Sequence, residues 1–370
     1  MKKLICLLLA ALLTVGAASA QMLWEEETPQ RVRLDVETSC WTARVDARVY
    51  GTQVTSAQVY RTQKRNWGKN PERMPELTAL LPDVAACAKS TGWTAEDVTL
   101  TSPTGARLSL SPWDNTFVGE NGVRLREGTL WDVNFNSTVF QEELCVGELD
   151  GLPLEDALLK VEPAAQALGI TLGAAPMEGL AVTLADIERA TRERQALGLP
   201  PEQTIILDWT AKDEHYKLLL PQYYHGLRIF PTQGFIPGRE NTPQSCVGVI
   251  VGREGLEYLQ ANFVPGAEKA QGAPFAPIPV EQALETGLRA LSESVAAKEM
   301  ENVRVCEAWL CYVPVADKGS TTQYTMTPAW AFPVLYDNPQ MWPEDWTGPT
   351  FTLSYAVAVD ARSGECITDN

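Results

Sequence analysis

The chain has 370 residues, 45% of them apolar, with 47 acidic against 30 Lys and Arg residues and a net charge of −17. This length and apolar content suit roughly two or three domains with buried cores. With so acidic a balance and no basic run, neutralisation of nucleic-acid phosphates is excluded as a role and anionic membrane surfaces are disfavoured.

The first twenty residues read as a secretory signal peptide. Lys2 and Lys3 precede the apolar run Leu4 to Val15, and Ala18-Ser19-Ala20 forms a small-residue cleavage site before Gln21. The run is shorter than the roughly 20 apolar residues a spanning helix needs, so the expectation is a secreted protein without stable membrane insertion. Removing Lys2 and Lys3, the segment's only charges, takes the net charge from −17 to −19. Seven cysteines remain: Cys40, Cys87, Cys145, Cys246, Cys306, Cys311 and Cys366. No C-x-x-C is present, so the spacings match no zinc pattern. Secretion permits disulfides; burial of the thiols as small hydrophobes is the alternative.

Residues 21–148 read as a β-rich N-terminal domain. Alternation over 31–50 predicts two antiparallel strands, and 98–110 predicts a hairpin turning at Ser102-Pro103-Thr104-Gly105. A further strand is expected over 129–140, and short helical segments over 75–91. Residues 149–269 read as a first helix-plus-sheet unit. Helices are predicted over 152–170, stopped at Gly169, and over 183–197, where Thr183 and Asp186 resemble a capping box. Strands follow over 204–211, 216–220, 227–231 and 246–252. The stretch "AQGAPFAPIP" (270–279) has the composition of a linker. Residues 270–370 form the second unit, with a helix from Pro279 to about Ala297 and strands over 303–315, 328–336 and 351–361. Val280, Ala283, Leu284, Leu288, Leu291 and Val295 share one face of that helix.

The two units open alike, with "LPLEDAL" (152–158) and "IPVEQAL" (278–284), and end alike, with "VIVGREGLEYL" (249–259) and "VAVDARSGECI" (357–367). This pattern predicts a duplicated supersecondary unit, with Asp360 and Gly364 serving turn geometry. The last strand and its "DARSGE" turn resemble the "DA-x-TGE" ending of the PepSY and YycI-like modules of secreted bacterial proteins. "TPAWAFPV" (327–334) is similar to their "P-A-W-x-F" strand, and "YYHGLRIFP" (223–231) to their "Y-N-G-I-P-V" hairpin. The resemblance spans about 152–370, and the N-terminal half looks like uncharacterised secreted proteins of gut-type Firmicutes. It implies an α+β fold, a β-rich N-terminal domain followed by two helix-on-antiparallel-sheet units. Inhibition of proteases or regulation of surface sensor kinases is the kind of role it implies, with no catalytic residue.

The residues themselves supply little chemistry. There is no H-E-x-x-H, no G-x-S-x-G, no Walker loop and no G-x-G-x-x-G. No catalytic residue, metal ligand or cofactor is assigned. His225 before Gly226 reads as a turn residue, and His215 as a solvated polar residue. The stretch "YDNPQMWPEDWTGP" (336–349) offers Tyr336, Asp337, Trp342, Asp345 and Trp346, aromatic faces beside carboxylates that suit a sugar ring or a peptide. The reading is a secreted, non-catalytic binding or regulatory protein acting on an extracytoplasmic protein or peptide. The rivals are a cell-wall glycan-binding protein using the 336–349 loop, and a hydrolase of unrecognised type. Oligomeric state is not legible. N-terminal sequencing of the exported protein should begin at Gln21; a membrane-bound product that keeps residues 1–20 would overturn that expectation.

Overall fold

The computed structural model describes residues 22–23, 28–65, 80–81, 83–91, 97–111, 115–120, 122, 147–196, 208–230, 245–320, 322–339 and 352–367. Among the described residues the fold is β-rich, 51% strand and 19% helical. In chain order the elements begin with β1 (Met22–Leu23), β2 (Gln30–Glu37), β3 (Thr42–Tyr50), β4 (Ala57–Lys64), β5 (Ala88–Thr91), β6 (Val98–Thr101), β7 (Arg107–Leu110) and β8 (Asn115–Val118). Helices α1 (Leu154–Leu159) and α2 (Glu162–Leu168) follow, then β9 (Thr171–Gly173), β10 (Glu178–Val182) and α3 (Leu184–Ala196). Next come β11 (His215–Leu220), β12 (Gln222–Tyr224), β13 (Leu227–Ile229), β14 (Val247–Gly252), β15 (Leu256–Ala261) and β16 (Pro265–Phe275). The chain continues through α4 (Val280–Ser292), β17 (Glu301–Ala316), β18 (Gln323–Asp337) and β19 (Leu353–Asp360).

Two sheets hold these strands. One is an antiparallel eight-stranded sheet, ordered β10-β11-β14-β15-β8-β7-β6-β5. The other has eleven strands along the path β1-β9-β12-β13-β17-β18-β4-β16, with β19 on β18 and the β2–β3 hairpin on β17. This topology corrects the expected α+β arrangement. Strands β2 to β4, placed by the sequence in an N-terminal β domain, pair with β17, β18 and β16 near the other end of the chain. Strands β5 to β8 instead join the middle of the chain through β8 and β15. Period-two alternation identifies a strand and its buried face but not its partner, so the separate β domain and the two helix-on-sheet units do not exist as such.

The two expected unit endings also differ. "VIVGREGLEYL" forms β14 and β15, two strands inside a sheet. "VAVDARSGECI" returns on β19 by a single bridge, Val359 to Cys366. Its turn is held locally: the Asp360 carboxylate accepts the Arg362 and Ser363 amides at 2.7 and 3.1 Å, and Gly364 adopts φ 76°.

Helix boundaries follow local chemistry. The predicted helix over 152–170 is broken into α1 and α2 because Pro163 lacks an amide and its ring opposes the carbonyl of Leu159, the last residue of α1. Gly169 ends α2 with φ 64°. At α3, Thr183 and Asp186 exchange backbone-to-side-chain bonds of 3.1 and 3.3 Å, the reciprocal capping box. Helix α4 stops at Ser292, so Val295, expected on its apolar face, lies in a 3-10 turn at 88% exposure. The expected strand over 129–140 lies outside the described residues, as do residues 204–207. Residues 208–211 are not strand but lead into a 3-10 turn. The expected linker 270–279 instead supplies the end of β16. Gly272 and Pro274 are tolerated there because the strand is an edge and shifts register twice against β4.

The core of the larger sheet lies under α4. Val280, Ala283, Leu284, Leu288 and Leu291 pack on Val32, Val45, Val305, Phe332, Val357 and Val359. Gly287 lets the helix approach: a Cβ there would lie 2.7 Å from both Phe332 Cζ and Val357 Cγ1. Trp330 Nε1 donates to the Ile278 carbonyl at 2.8 Å, fixing the chain that enters the helix. In an open helix Gly→Ala gains about 1 kcal/mol. Here Gly287→Ala should instead lose about 1–3 kcal/mol through overpacking. Urea unfolding checks this, and a raised midpoint would show that the sheet yields to the methyl group.

Candidate functional site

The sequence "YYHGLR" closes the β12–β13 hairpin. Tyr224 pairs with Leu227, leaving His225 and Gly226 as a two-residue loop with φ of 47° and 80°. Positive φ at both positions is the mark of a type I′ turn, whose twist matches the flanking strands. Gly226 adopts it freely, and His is among the side chains that tolerate it.

The turn carries the imidazole onto Tyr60 of β4, with ring centroids 4.2 Å apart and planes within 6°. His225 Nε2 lies 3.0 Å from each carboxylate oxygen of Glu268 on β16. The Tyr224 hydroxyl donates to the same carboxylate. Tyr224 meets Tyr60 and Tyr312 edge-on at 5.7 and 5.2 Å, and the Tyr312 hydroxyl donates to the Gln58 carbonyl at 2.9 Å. Burial pushes the Tyr224 hydroxyl far above the ordinary phenol range, and the Glu268 carboxylate adds to the shift. Burial raises Tyr312 likewise. Both phenols therefore stay protonated, as hydrogen-bond donors rather than nucleophiles or bases. The His225 and Glu268 side chains are each 38% exposed, so the outer part of the cluster meets solvent.

A concavity of about 950 Å³ opens on the smaller sheet, lined by Glu120, Lys160, Asp213, Glu254 and Glu257 beside Leu80 and Phe117. Several of its charged groups have structural tasks. Asp213 closes the capping box of the 3-10 turn after Thr210. Lys160 donates to the Gly252 and Arg253 carbonyls at 3.2 and 2.6 Å, and Glu257 accepts the Gly122 amide at 3.0 Å. Neither histidine lines this space. The convergence of a histidine on carboxylates that would favour a hydrolase is therefore missing from it.

His215 departs from expectation. It is 2% exposed, not solvated, and its Nδ1 lies 2.7 Å from the Asp213 carbonyl. Of the residues expected to bind a ligand, Trp342, Asp345 and Trp346 lie outside the described residues. Tyr336 is half-buried against the core under α4, and burial raises its hydroxyl. Asp337 accepts from Asn302 Nδ2 at 2.7 Å and lies 3.9 Å from Arg304. Among the described residues no group of His, Cys, Asp and Glu could hold a metal ion, and Cys40, Cys87, Cys311 and Cys366 are free thiols. No helix among the described residues is long and apolar enough to cross a membrane.

Sequence reasoning missed Tyr60, Tyr224 and Glu268 as partners of His225. The adjacent tyrosines before His-Gly were the available signal. Glu268 lies just ahead of the stretch taken as a linker, and Tyr60 lies in a segment assigned no element.

Comparison with known proteins adds the fold alone. No family model matches the chain, and no curated protein matches it. The chain is similar to a solved structure of an uncharacterised protein from Eubacterium rectale, with a TM-score of 0.60 at 12% identity, over 92% of this chain and 94% of that one.

The buried His215 makes stability depend on pH. Burial holds its pKa below the ordinary 6.5. The folded protein thus resists a proton that the unfolded chain accepts. Its favourable effect is present above about pH 6.5 and is lost as pH falls toward the lower folded value. Chemical denaturation from pH 7.5 down to 5 should show a loss with a slope of up to about 1.4 kcal/mol per pH unit from this residue. His215→Gln should flatten that slope; an unchanged profile would remove His215 as its source.

Proposed function

We propose that this is an exported, non-catalytic binding protein that holds a segment of another protein or a peptide along the β16 edge. The observation that carries the reading is the solvent-facing cluster of Tyr60, Tyr224, His225 and Glu268 on β4, β12–β13 and β16. From Glu268 to Gln271, β16 pairs with β4 without a register shift, and among the described residues β16 is the last strand on its side of the sheet. An extended segment added there would take main-chain hydrogen bonds from the strand and side-chain contacts from the cluster. Aromatic faces supply apolar area while the His and Glu heads fix polar groups. Pro274 and the register shifts on either side keep the rest of the edge from indiscriminate pairing. The leader-like residues 1–20 support the same reading, with a partner met outside the cytoplasm.

Selection from a random-peptide display library on the exported protein tests this. Sequences enriched on the native protein should bind at least tenfold more weakly to His225→Asn and to Glu268→Gln, with melting temperatures nearly unchanged. Equal enrichment on the native protein and both variants would remove this edge as the binding surface.

A further inference from the structure

A second surface collects charge of the opposite sign to the protein as a whole. On the face of β2, β3 and β17 turned away from α4, Arg31, Arg33, Arg44, Arg48 and Arg304 crowd together in a chain of net charge −17. Arg31, Arg44, Arg48 and Arg304 line a groove of about 410 Å³ with Asp46, Val305 and Cys306.

The register makes this arrangement costly. Arg31 stands directly opposite Arg48, and Arg44 directly opposite Arg304. Like charges in register destabilise a sheet. The neutralisation is partial. Asp46 holds Arg31 and Arg33 through contacts of 2.6 and 3.0 Å, and these two hydrogen-bonded guanidinium groups keep its carboxyl well below the ordinary carboxylate range. Glu307 pairs with Arg48, and Arg304 reaches Thr352 Oγ1 at 3.1 Å and lies 3.9 Å from Asp337. The Arg44 side chain is exposed and has neither an ion pair nor a hydrogen bond among the described residues. Its register partner on β2, Asp35, forms no ion pair with it.

We infer that this face is a docking surface for an acidic peptide segment of a partner protein, whose carboxylates would bridge Arg44 to Arg304 and continue toward Arg48. Asp46 shows the chemistry from within: one carboxylate on this face is already forked between two guanidinium groups, the planar pairing that Arg favours. Alternate residues of an extended peptide lie about 6.8 Å apart, so carboxylates four residues apart would match Arg44 and Arg48, and the side chain between them would lie over the Asp46 ion pairs. A dense phosphate polymer is a poorer fit, because Asp46 and Glu307 stand among the arginines. This surface is separate from the β16 edge and rests on its own observation.

Fluorescence anisotropy with a labelled ten-residue Glu-rich peptide tests the inference, with a Gln-for-Glu peptide and polyphosphate as the other arms. The Glu-rich peptide should bind and the Gln peptide should not, and affinity should fall several-fold between 50 and 200 mM salt. Arg44→Ala and Arg304→Ala should each weaken binding at least fivefold, with Arg44→Lys retaining part of it. Asp46→Asn, which releases Arg31 and Arg33, should strengthen it, and Tyr60→Ala should leave it unchanged. Binding of polyphosphate alone, equal binding of the Gln peptide, or affinity unaffected by Arg44→Ala in a variant with native melting temperature would overturn the inference.

Discussion

The structure depends on one hairpin. Strands β17 and β18, of 16 and 15 residues, pair with each other over almost their whole length and are longer than any neighbour. Each changes partner along the way. The first half of β17 lies beside β3 and its second half beside β13. β18 pairs with β4 at its start and with β19 further on. The larger sheet is therefore two half-sheets sharing a spine, one covered by α4 and the other carrying the β12–β13 turn. The register between β17 and β18 is irregular between Arg304 and Trp309, within the part of β17 that lies beside β3, where a bulge increases the twist of the strand before it reaches β13.

That spine also relates the two exposed surfaces. Tyr312 lies beneath the His225 cluster, and Arg304 lies on the arginine-rich face; both are on β17. Eight residues of extended chain separate them, about 27 Å at the rise of a strand. Each surface is built by short strands resting on a long one. Their side chains are therefore held by sheet pairing, which positions groups more firmly than a loop would.

Local structure was legible in the sequence and assembly was not. The alternation over 31–50 and 98–110, the apolar stripe of α4 from Val280 to Leu291, the capping pair Thr183 and Asp186, and the positive φ at His225 all follow from neighbouring residues, and the structure contains each of them. On one side β3 pairs with a strand 260 residues further on, Arg44 with Arg304, and nothing local in "TARVDARVY" specifies it. Composition misled at 270–279, because Gly and Pro weaken a central strand yet sit without penalty on an edge. The candidate site was half visible. Its turn could be read, but the stacking of His225 on Tyr60 and its contact with Glu268 join three segments that only the sheet brings together. His215 was misjudged because its polar flank, "AKDEH", belongs to a turn that covers the ring.

The parallel seat of the β2–β3 hairpin on β17 bears on how the chain is made. A ribosome delivers β2 and β3 early and β17 only after most of the protein has emerged. Until then the hairpin has no sheet to join, and its apolar face, Val32, Val36, Val45 and Val49, has no helix to cover it. Pairings this distant along the chain are slow to form, and an uncovered two-stranded ribbon is marginal in water. The smaller sheet can close earlier, from segments ending at residue 261. Synthesis thus imposes an order on maturation: the eight-stranded sheet first, and the N-terminal hairpin captured last, when the C-terminal strands arrive to receive it.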